Sequence, residues 1–346
     1  MALRIVRQPK QIVLLGAPTS AAALAVGHEK APQALRAAGL IEKLQSLGYA
    51  VSDMGDDPVE TYKPDEESPR ARNVNRVVAA LEALRPRVEA AVKTGGLALI
   101  LTGDCSSALA TVAGVRRYYR GASIIYIDRD ADLNIPATSP SGCVDGMVVS
   151  HLTGRGAAEM IRFWSEPPLV RDPEVALFGV DRLDQPEEEL LTRVPIRLFR
   201  ASDIARSGAA IAAEKAVERV HGNRNELVVH LDVDVVASED FEATDLPASG
   251  GLRLEQVRQA LEVFARHPRL VALEVAGFNS ERDAGGRGAK TVIDLLASAL
   301  AARLEAQAEL ASAASAAAAP ASTAQAETPA NAAAEEVAPA SDETSS

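Results

Sequence analysis

Short apolar runs rich in Val, Ile and Leu alternate along the chain with longer amphipathic stretches. Few of the short runs show an apolar/polar alternation, and near-continuous apolar strands of this length are typical of a parallel sheet covered on both faces. The predicted strands are Gln11–Leu15, Ala98–Leu101, Ser123–Ile127, Val175–Phe178, Ile196–Phe199, Leu227–Leu231 and Leu270–Val275. The amphipathic stretches between them are Asn75–Lys93, Ser106–Tyr119, Ala209–His221 and Arg253–His267. Alternating strands and helices indicate right-handed βαβ units, so we expect a layered α/β domain.

The composition changes near residue 305. The chain has 346 residues and a formal net charge of −12, and the segment 305–346 carries seven acidic residues with no Lys or Arg. We therefore predict one α/β domain over 1–304, only mildly acidic, followed by an Ala/Pro/Glu/Ser-rich tail over 305–346. Alanine favours helix, so a helix Ala289–Leu310 is expected to extend into the tail. Beyond it, the prolines and the lack of bulky apolar residues predict disorder.

Charge and hydropathy exclude several classes of function. The body has no basic stripe, which argues against nucleic acid as a ligand. The longest apolar runs, such as Leu97–Leu101, are too short to span a bilayer, and Met1–Lys10 does not have the pattern of a secretory signal. The two cysteines, Cys105 and Cys143, are too few for a disulfide framework. We expect a cytoplasmic protein without a membrane partner.

Acidic residues follow several of the predicted strands. Asp128, Asp130 and Asp132 come after one strand, and Asp232 and Asp234 come after another. Ligands of open α/β sheets sit at the carboxyl ends of the strands, and a spacing of two residues places extended side chains on one face. Helix capping would explain one residue of each group but not all five. The pattern predicts a site for Mn²⁺, Mg²⁺ or Ca²⁺, which prefer oxygen ligands.

Other residues near these strand ends have more than one interpretation. Asp104 is best explained as a helix cap. Cys105 could be a metal ligand or a packing residue, and a nucleophilic role is disfavoured because nearby carboxylates oppose a thiolate. His230 lies in an apolar strand, where a hydrogen-bonded core histidine is expected. Arg129 is expected to face solvent, although it could neutralise part of the acidic cluster.

Four motifs, in order along the chain, resemble those of the arginase/agmatinase (ureohydrolase) family. They are Thr102-Gly103-Asp104-Cys105-Ser106, Asp128-Arg129-Asp130-Ala131-Asp132-Leu133-Asn134, Ser141-Gly142-Cys143-Val144-Asp145-Gly146 and Asp232-Val233-Asp234-Val235-Val236-Ala237-Ser238. The family reads G-G-D-H-S, D-A-H-x-D, S-G-N-x-H-G and D-V-D-x-x-D-P, and the resemblance covers roughly residues 12–304. It implies a three-layer α/β/α fold around a mostly parallel eight-stranded sheet. It also implies oligomers and two Mn²⁺ ions that activate a hydroxide for attack on a guanidinium carbon.

The resemblance implies a ligand set that departs from the family at two positions. Asp128, Asp132, Asp232 and Asp234 match family ligands, whereas Cys105 and Asp130 stand where the family has histidines. A thiolate shifts the preference of its site toward Zn²⁺ or Fe²⁺. Because Asp is shorter than His, we expect at least one of the two metal positions to be weakened.

The residues around the metal pair also depart from the family. Asp145 stands where a loop histidine transfers protons, and Gly277 stands where a glutamate binds the guanidinium. Glu274 is an imperfect substitute for that glutamate. The residues that match positions binding the amino-acid end of arginine are Asn134, Ser141 and Asp184.

The sequence therefore favours a metal-dependent hydrolase of a linear amidine or guanidine, with a small guanidino substrate and a homo-oligomeric assembly. The alternative is a catalytically inactive arginase-fold subunit with a structural or regulatory role, which could assemble into a hetero-oligomer with an intact paralogue. A plain metal- or ligand-binding module is a weaker third hypothesis. Efficient hydrolysis of plain arginine is doubtful, because the guanidinium-binding carboxylate is missing at Gly277.

Overall fold

A central sheet of eight strands forms the middle layer of the computed structural model, which describes residues 5–164, 167–220 and 225–318. The strands are β1 (Gln11–Ala17), β2 (Ala50–Asp56), β3 (Leu97–Thr102), β4 (Ala122–Ile127), β5 (Val175–Val180), β6 (Arg197–Arg200), β7 (Glu226–Asp232) and β8 (Leu270–Ala276). The α-helices are α1 (Ala31–Ala37), α2 (Leu40–Ser46), α3 (Val74–Lys93), α4 (Ala108–Arg116), α5 (Val148–Leu152), α6 (Ala158–Arg162), α7 (Gln185–Leu191), α8 (Ala201–Ser207), α9 (Ala209–Val220), α10 (Leu254–Arg266) and α11 (Arg287–Ala318).

Every strand pair in the sheet is parallel, and the strand order is β2-β1-β3-β8-β7-β4-β5-β6. Apolar side chains of α1, α2 and α8–α11 form the core on one face. Those of α3–α6 form the core on the other face. The predicted three-layer α/β/α fold is confirmed. Because all strands run the same way, the residues that follow β3, β4, β7 and β8 meet at one edge of the sheet.

The apolar pattern located seven of the eight strands, and β2 is the one that it missed. β2 lies at an edge of the sheet, and most of its residues are exposed or half-buried. The guanidinium of Arg36 bonds Asp53 Oδ2 at 2.8 Å through Nε and Asp56 Oδ1 at 2.5 Å through Nη1. An edge strand that carries charged residues has no continuous apolar run, so the strand pattern does not reveal it.

The chain divides into two units, Met1–Glu309 and Leu310–Ser346. The first unit ends a few residues beyond the predicted domain boundary at 304. Helix α11 begins at Arg287 and ends at Ala318, so it is longer than the predicted helix Ala289–Leu310. The predicted disorder further along the tail lies outside the described residues. Among the described helices, none combines the length and hydropathy that crossing a bilayer requires.

Candidate metal centre

A cavity opens at the sheet edge where β3, β4, β7 and β8 end, and its volume is about 150 Å³. This volume is below the usual range for drug-sized ligands, so the cavity suits a small one. Its polar, charged and sulfur-bearing lining residues are His28, Cys105, Asp128, Asp130, Asp132, Ser141, Cys143, Asp145, Arg182, Asp232, Asp234, Thr244 and Asp245. The cavity therefore brings together all six residues predicted as metal ligands, together with Asp145 and Ser141.

Asp128, Asp232 and Asp234 form the centre of this cluster. Each offers a carboxylate oxygen, and these three oxygens lie within 4.8 Å of one another. Two short turns hold the carboxylates, because Asp130 N donates to Asp128 Oδ1 and Asp234 N donates to Asp232 Oδ1, both at 2.7 Å. Burial raises the pKa of Asp128 and of Asp234 well above the ordinary carboxyl value, and neighbouring carboxylates raise it further. The trio is therefore a site at which a cation would relieve strong repulsion.

Cys105 lies beside this trio and is buried. Its Sγ donates to Asp232 Oδ2 at 2.8 Å, and its backbone N donates to Asp145 Oδ1 at 2.9 Å. Burial raises the pKa of the thiol well above its ordinary value, and Asp232 and Asp145 raise it further. The environment thus opposes a free thiolate nucleophile and leaves the metal-ligand and packing interpretations open.

Two arginines offset part of the negative charge. The guanidinium of Arg182 donates to both carboxylate oxygens of Asp130, from Nε to Oδ1 at 2.6 Å and from Nη2 to Oδ2. Arg129 Nη2 lies 3.6 Å from Asp234 Oδ2, and the Arg129 side chain is only 3% exposed. The prediction that Arg129 faces solvent is therefore wrong, because the charge of Asp234 draws the guanidinium inward. Asp130, predicted as a metal ligand, uses both carboxylate oxygens in its pair with Arg182.

Asp132 and Asp145 are two further aspartates that line the cavity. Tyr126 Oη donates to Asp132 Oδ2 at 2.5 Å, and Asp132 has a positive φ of 51°. Burial raises the pKa of both carboxyls well above the ordinary value. The loop after β4 is therefore not extended, and its alternate side chains diverge: Asp128 reaches the trio, Asp130 turns to Arg182 and Asp132 turns to Tyr126.

The three predicted substrate-binding residues lie in two different parts of the structure. Ser141 lines the cavity, and its Oγ accepts the backbone N–H of Cys143 at 3.1 Å. Asn134 Nδ2 donates to Asp184 Oδ2 at 2.8 Å, which joins the loop after β4 to the start of α7. Sequence reasoning missed Glu187, whose carboxylate accepts the backbone N–H of both Leu133 and Asp184 at 2.8 Å. Its place three residues after Asp184 is the capping-box signal that could have identified it.

Neither Gly277 nor Glu274 can take the role of the guanidinium-binding glutamate that the family has at the position of Gly277. Gly277 has φ +78°, and a Cβ added there would lie 2.0 Å from Asp232 Oδ1. Glu274 is fully buried in β8, where it bonds Thr111 Oγ1 and, at 2.9 Å, His230 Nδ1. Glu274 therefore points into the protein rather than into the cavity. Asp104 is likewise a structural residue, since its carboxylate accepts bonds from Thr19 Oγ1, Ala22 N and Ser106 N.

Asp245 and His28 also line the cavity, although nothing in the sequence pointed to either residue. His28 Nε2 lies 3.5 Å from Asp245 Oδ2, and Asn279 Nδ2 donates to Asp245 Oδ1 at 2.6 Å. Asp245 Oδ2 has no hydrogen-bond partner among the described residues. Asp245 comes from the long segment after β7, where no pattern in the sequence placed it near the cavity.

Comparisons with known proteins agree with this architecture. The model of the arginase family matches residues 10–302. The chain belongs to the arginase family. It is 28% identical to the arginase of Bacillus caldovelox over 297 residues, which cover 85% of this chain and 99% of that enzyme. It is 30% identical to the arginase of Staphylococcus aureus strain MRSA252, covering 83% and 96% of the two chains. The crystal structure of Bacillus cereus arginase is similar with a TM-score of 0.77 at 28% identity, covering 84% and 98% of the two chains.

The donors in this arginase-family cavity fit a divalent cation at the aspartate trio. Oxygen atoms from Asp128, Asp232 and Asp234 converge there, and Asp234 Oδ1 has no hydrogen-bond partner among the described residues. A buried carboxylate oxygen without a partner is costly, and a bound cation removes that cost. The surroundings are less favourable on the side of Asp130, because Arg182 occupies both of its oxygens.

Proposed function

We propose that this protein is a metal-dependent hydrolase that cleaves a C–N bond of a linear amidine or guanidine. The observation that carries the proposal is the convergence of Asp128, Asp232 and Asp234 at the end of the cavity, in a chain of the arginase family. These residues would hold Mn²⁺. When bound, this ion would lower the pKa of a water molecule and so supply the nucleophile.

The acidic lining suits a cationic substrate. A guanidinium entering the cavity meets a wall of carboxylates, and the electrostatic field of that wall favours a positive ligand. Asp245 would offer the contact that Gly277 lacks, because this residue lines the cavity and its buried Oδ2 has no hydrogen-bond partner among the described residues. A charge-assisted bond from guanidinium to this oxygen is worth about 1.5–3 kcal/mol, so Asp245→Asn should raise KM about 10- to 100-fold.

Asp145 lines the same cavity as the aspartate trio and would hold a proton there. Its pKa is raised by burial and by the charges of Asp104 and Asp232, so its carboxyl is poised to be protonated more readily than an ordinary aspartate. The Cys105 N–H fixes its Oδ1. A protonated Asp145 can donate to a departing amine, which is the task of a general acid.

The test is a urea- and amine-release assay on the full-length protein loaded with Mn²⁺. The substrates are arginine, agmatine, N-hydroxyarginine and guanidinobutyrate. Asp234→Asn should lower turnover at least about 100-fold, because it removes a ligand that the water-activating ion needs. Asp203→Asn, on the exposed face of α8, is the matched control and should leave turnover unchanged. Product no higher than in the metal-free sample, for every substrate, would contradict the proposal.

The second candidate function is an inactive subunit that acts through assembly with an active paralogue. The pairs Arg182–Asp130 and Arg129–Asp234 favour it, because both guanidinium groups, that of Arg129 buried, place positive charge close to carboxylates that a metal would need. Absence of turnover, combined with binding of a full-length intact paralogue, would support this function over the first.

A further inference from the structure

His230 is held in a fixed orientation inside the sheet. It is fully buried in β7. Its ring stacks on Tyr126 with centroids 4.4 Å apart and planes 10° apart. Its Nδ1 lies 2.9 Å from Glu274 Oε1, and the other Glu274 oxygen accepts the hydroxyl of Thr111. A carboxylate on one ring nitrogen is the usual support of a metal-binding histidine, because it fixes both the tautomer and the ring plane.

The other ring nitrogen is available as a metal ligand. His230 Nε2 is buried and has no hydrogen-bond partner among the described residues. A ring nitrogen of His230, Cys105 Sγ and an Asp128 oxygen lie within 4.8 Å of one another. Since Nδ1 is engaged by Glu274, Nε2 is the nitrogen free to coordinate. Donors around a tetrahedral zinc ion are about 3.3–3.8 Å apart when each bond is about 2.0–2.3 Å long, so small side-chain movements would bring these three donors to one ion.

We propose that Cys105, Asp128 and His230 form a sulfur–nitrogen–oxygen metal site, with Glu274 and Thr111 orienting the histidine. The imidazole comes from the middle of β7, whereas Cys105 occupies the motif position at which the resemblance implies a histidine. This inference refines the metal dependence of the function proposed above, and it does not require turnover.

The donor set determines which metal the site prefers. A thiolate and a carboxylate carry two negative charges, which balance one divalent cation beside a neutral imidazole. As the sulfur–metal bond forms, the thiol proton leaves to solvent. Sulfur and nitrogen ligands favour Zn²⁺, Co²⁺ or Fe²⁺ over Mn²⁺. Asp128 is shared with the oxygen-only trio, so the chain offers two adjacent sites of different metal preference.

The test is titration of the full-length, metal-free protein with Co²⁺, followed by the thiolate-to-cobalt charge-transfer absorption. Wild type should develop this band, and Cys105→Ser should abolish it. His230→Gln and Glu274→Gln should weaken Co²⁺ binding at the band-forming site at least about 10- to 100-fold. Cys143→Ser and His151→Gln are matched controls, because both residues are buried but belong to neither metal cluster. Both controls should keep the wild-type band and affinity.

X-ray absorption of the zinc-loaded wild type provides a test that requires no variant. One sulfur at about 2.3 Å and imidazole scattering from a nitrogen at about 2.0 Å are expected. A wild type without the charge-transfer band, a His230→Gln protein with unchanged Co²⁺ affinity, or a zinc site without imidazole scattering would each overturn the inference. Urea release with Mn²⁺ in the absence of the band would overturn this site alone. A thiolate–imidazole metal site in a protein without any turnover would instead support this site and contradict the proposed hydrolase function.

Discussion

Replacing Gly277 by alanine tests how tightly the backbone packs against the metal centre. Gly277 has φ +78°, and an added Cβ would lie 2.0 Å from Asp232 Oδ1 and 2.6 Å from Asp232 Cγ. Gly285 is a matched control, because its φ is +79° and an added Cβ would have no atom within 4 Å. The two substitutions therefore share the strain of a left-handed alanine and the same gain from a stiffer unfolded chain, and they differ in the collision with Asp232.

The expected loss of stability follows from these two contributions. Left-handed strain costs about 1–2 kcal/mol, so Gly285→Ala should lower the free energy of unfolding by about that amount or less. Gly277→Ala adds an overlap that typically costs about 1–3 kcal/mol in a packed site, so its total loss should be about 2–5 kcal/mol. Because the collision displaces a carboxylate of the trio, divalent-metal affinity should also fall at least about tenfold in Gly277→Ala and remain unchanged in Gly285→Ala.

Urea denaturation of the metal-free proteins measures the first effect, and calorimetric titration with Mn²⁺ measures the second. Equal losses in the two variants, within about 0.5 kcal/mol, would show that Asp232 moves away from the new methyl group at no cost. The reasoning from the fixed position of Asp232 would then be wrong.

Three further predictions concern groups around the cavity. Asp104→Asn should lower the free energy of unfolding by about 2–3 kcal/mol in urea denaturation, because several buried donors lose a carboxylate oxygen that accepts their hydrogen bonds; a loss below about 0.5 kcal/mol would contradict its structural role. The buried cavity carboxyls have raised pKa values, so their contribution to stability is complete below about pH 4 and is lost as the pH rises through the folded values. The melting temperature of chelator-treated protein should accordingly fall as the pH rises above about 4 and recover with Mn²⁺. A melting temperature that rises with pH from this point would contradict the prediction. Glu187→Gln should raise KM about tenfold with little change in kcat, because Glu187 acts through the Asn134–Asp184 contact; a fall in kcat at constant KM would exclude that positioning role.

The apolar pattern located seven strands, and all but one of them are buried in the sheet. Six of these strands (β1, β3, β4, β5, β7 and β8) are almost completely buried, and burial on both faces is what produces such a run. The seventh, β6, is a half-buried edge strand that the pattern located through Leu198 and Phe199. The edge strand β2 is largely exposed and needs no continuous apolar run, so the apolar pattern did not predict it. The carboxyl edge could be predicted as the site because the direction of parallel strands decides where their ends meet.

The side chains of the site could be predicted only in part. The spacing of Asp232 and Asp234 was informative, whereas the positive φ of Asp132 breaks the alternation after β4. The inward position of Arg129 depends on a partner more than 100 residues away, and no local pattern encodes it. His230 carried a usable signal, since it stands two residues before Asp232 on the same strand face, but its apolar neighbours favoured a core role.

Charged cross-links at the sheet edge bear on how copies of this chain could associate. Arg36 ties Asp53 and Asp56 of β2 to a neighbouring helix, and β6 at the opposite edge begins and ends with arginine. Bringing a strand from another molecule against either edge would require these charges to be desolvated or displaced. Growth by sheet extension, the route to open-ended fibrils, is therefore disfavoured at both margins, and a closed assembly would have to form through helix and loop surfaces.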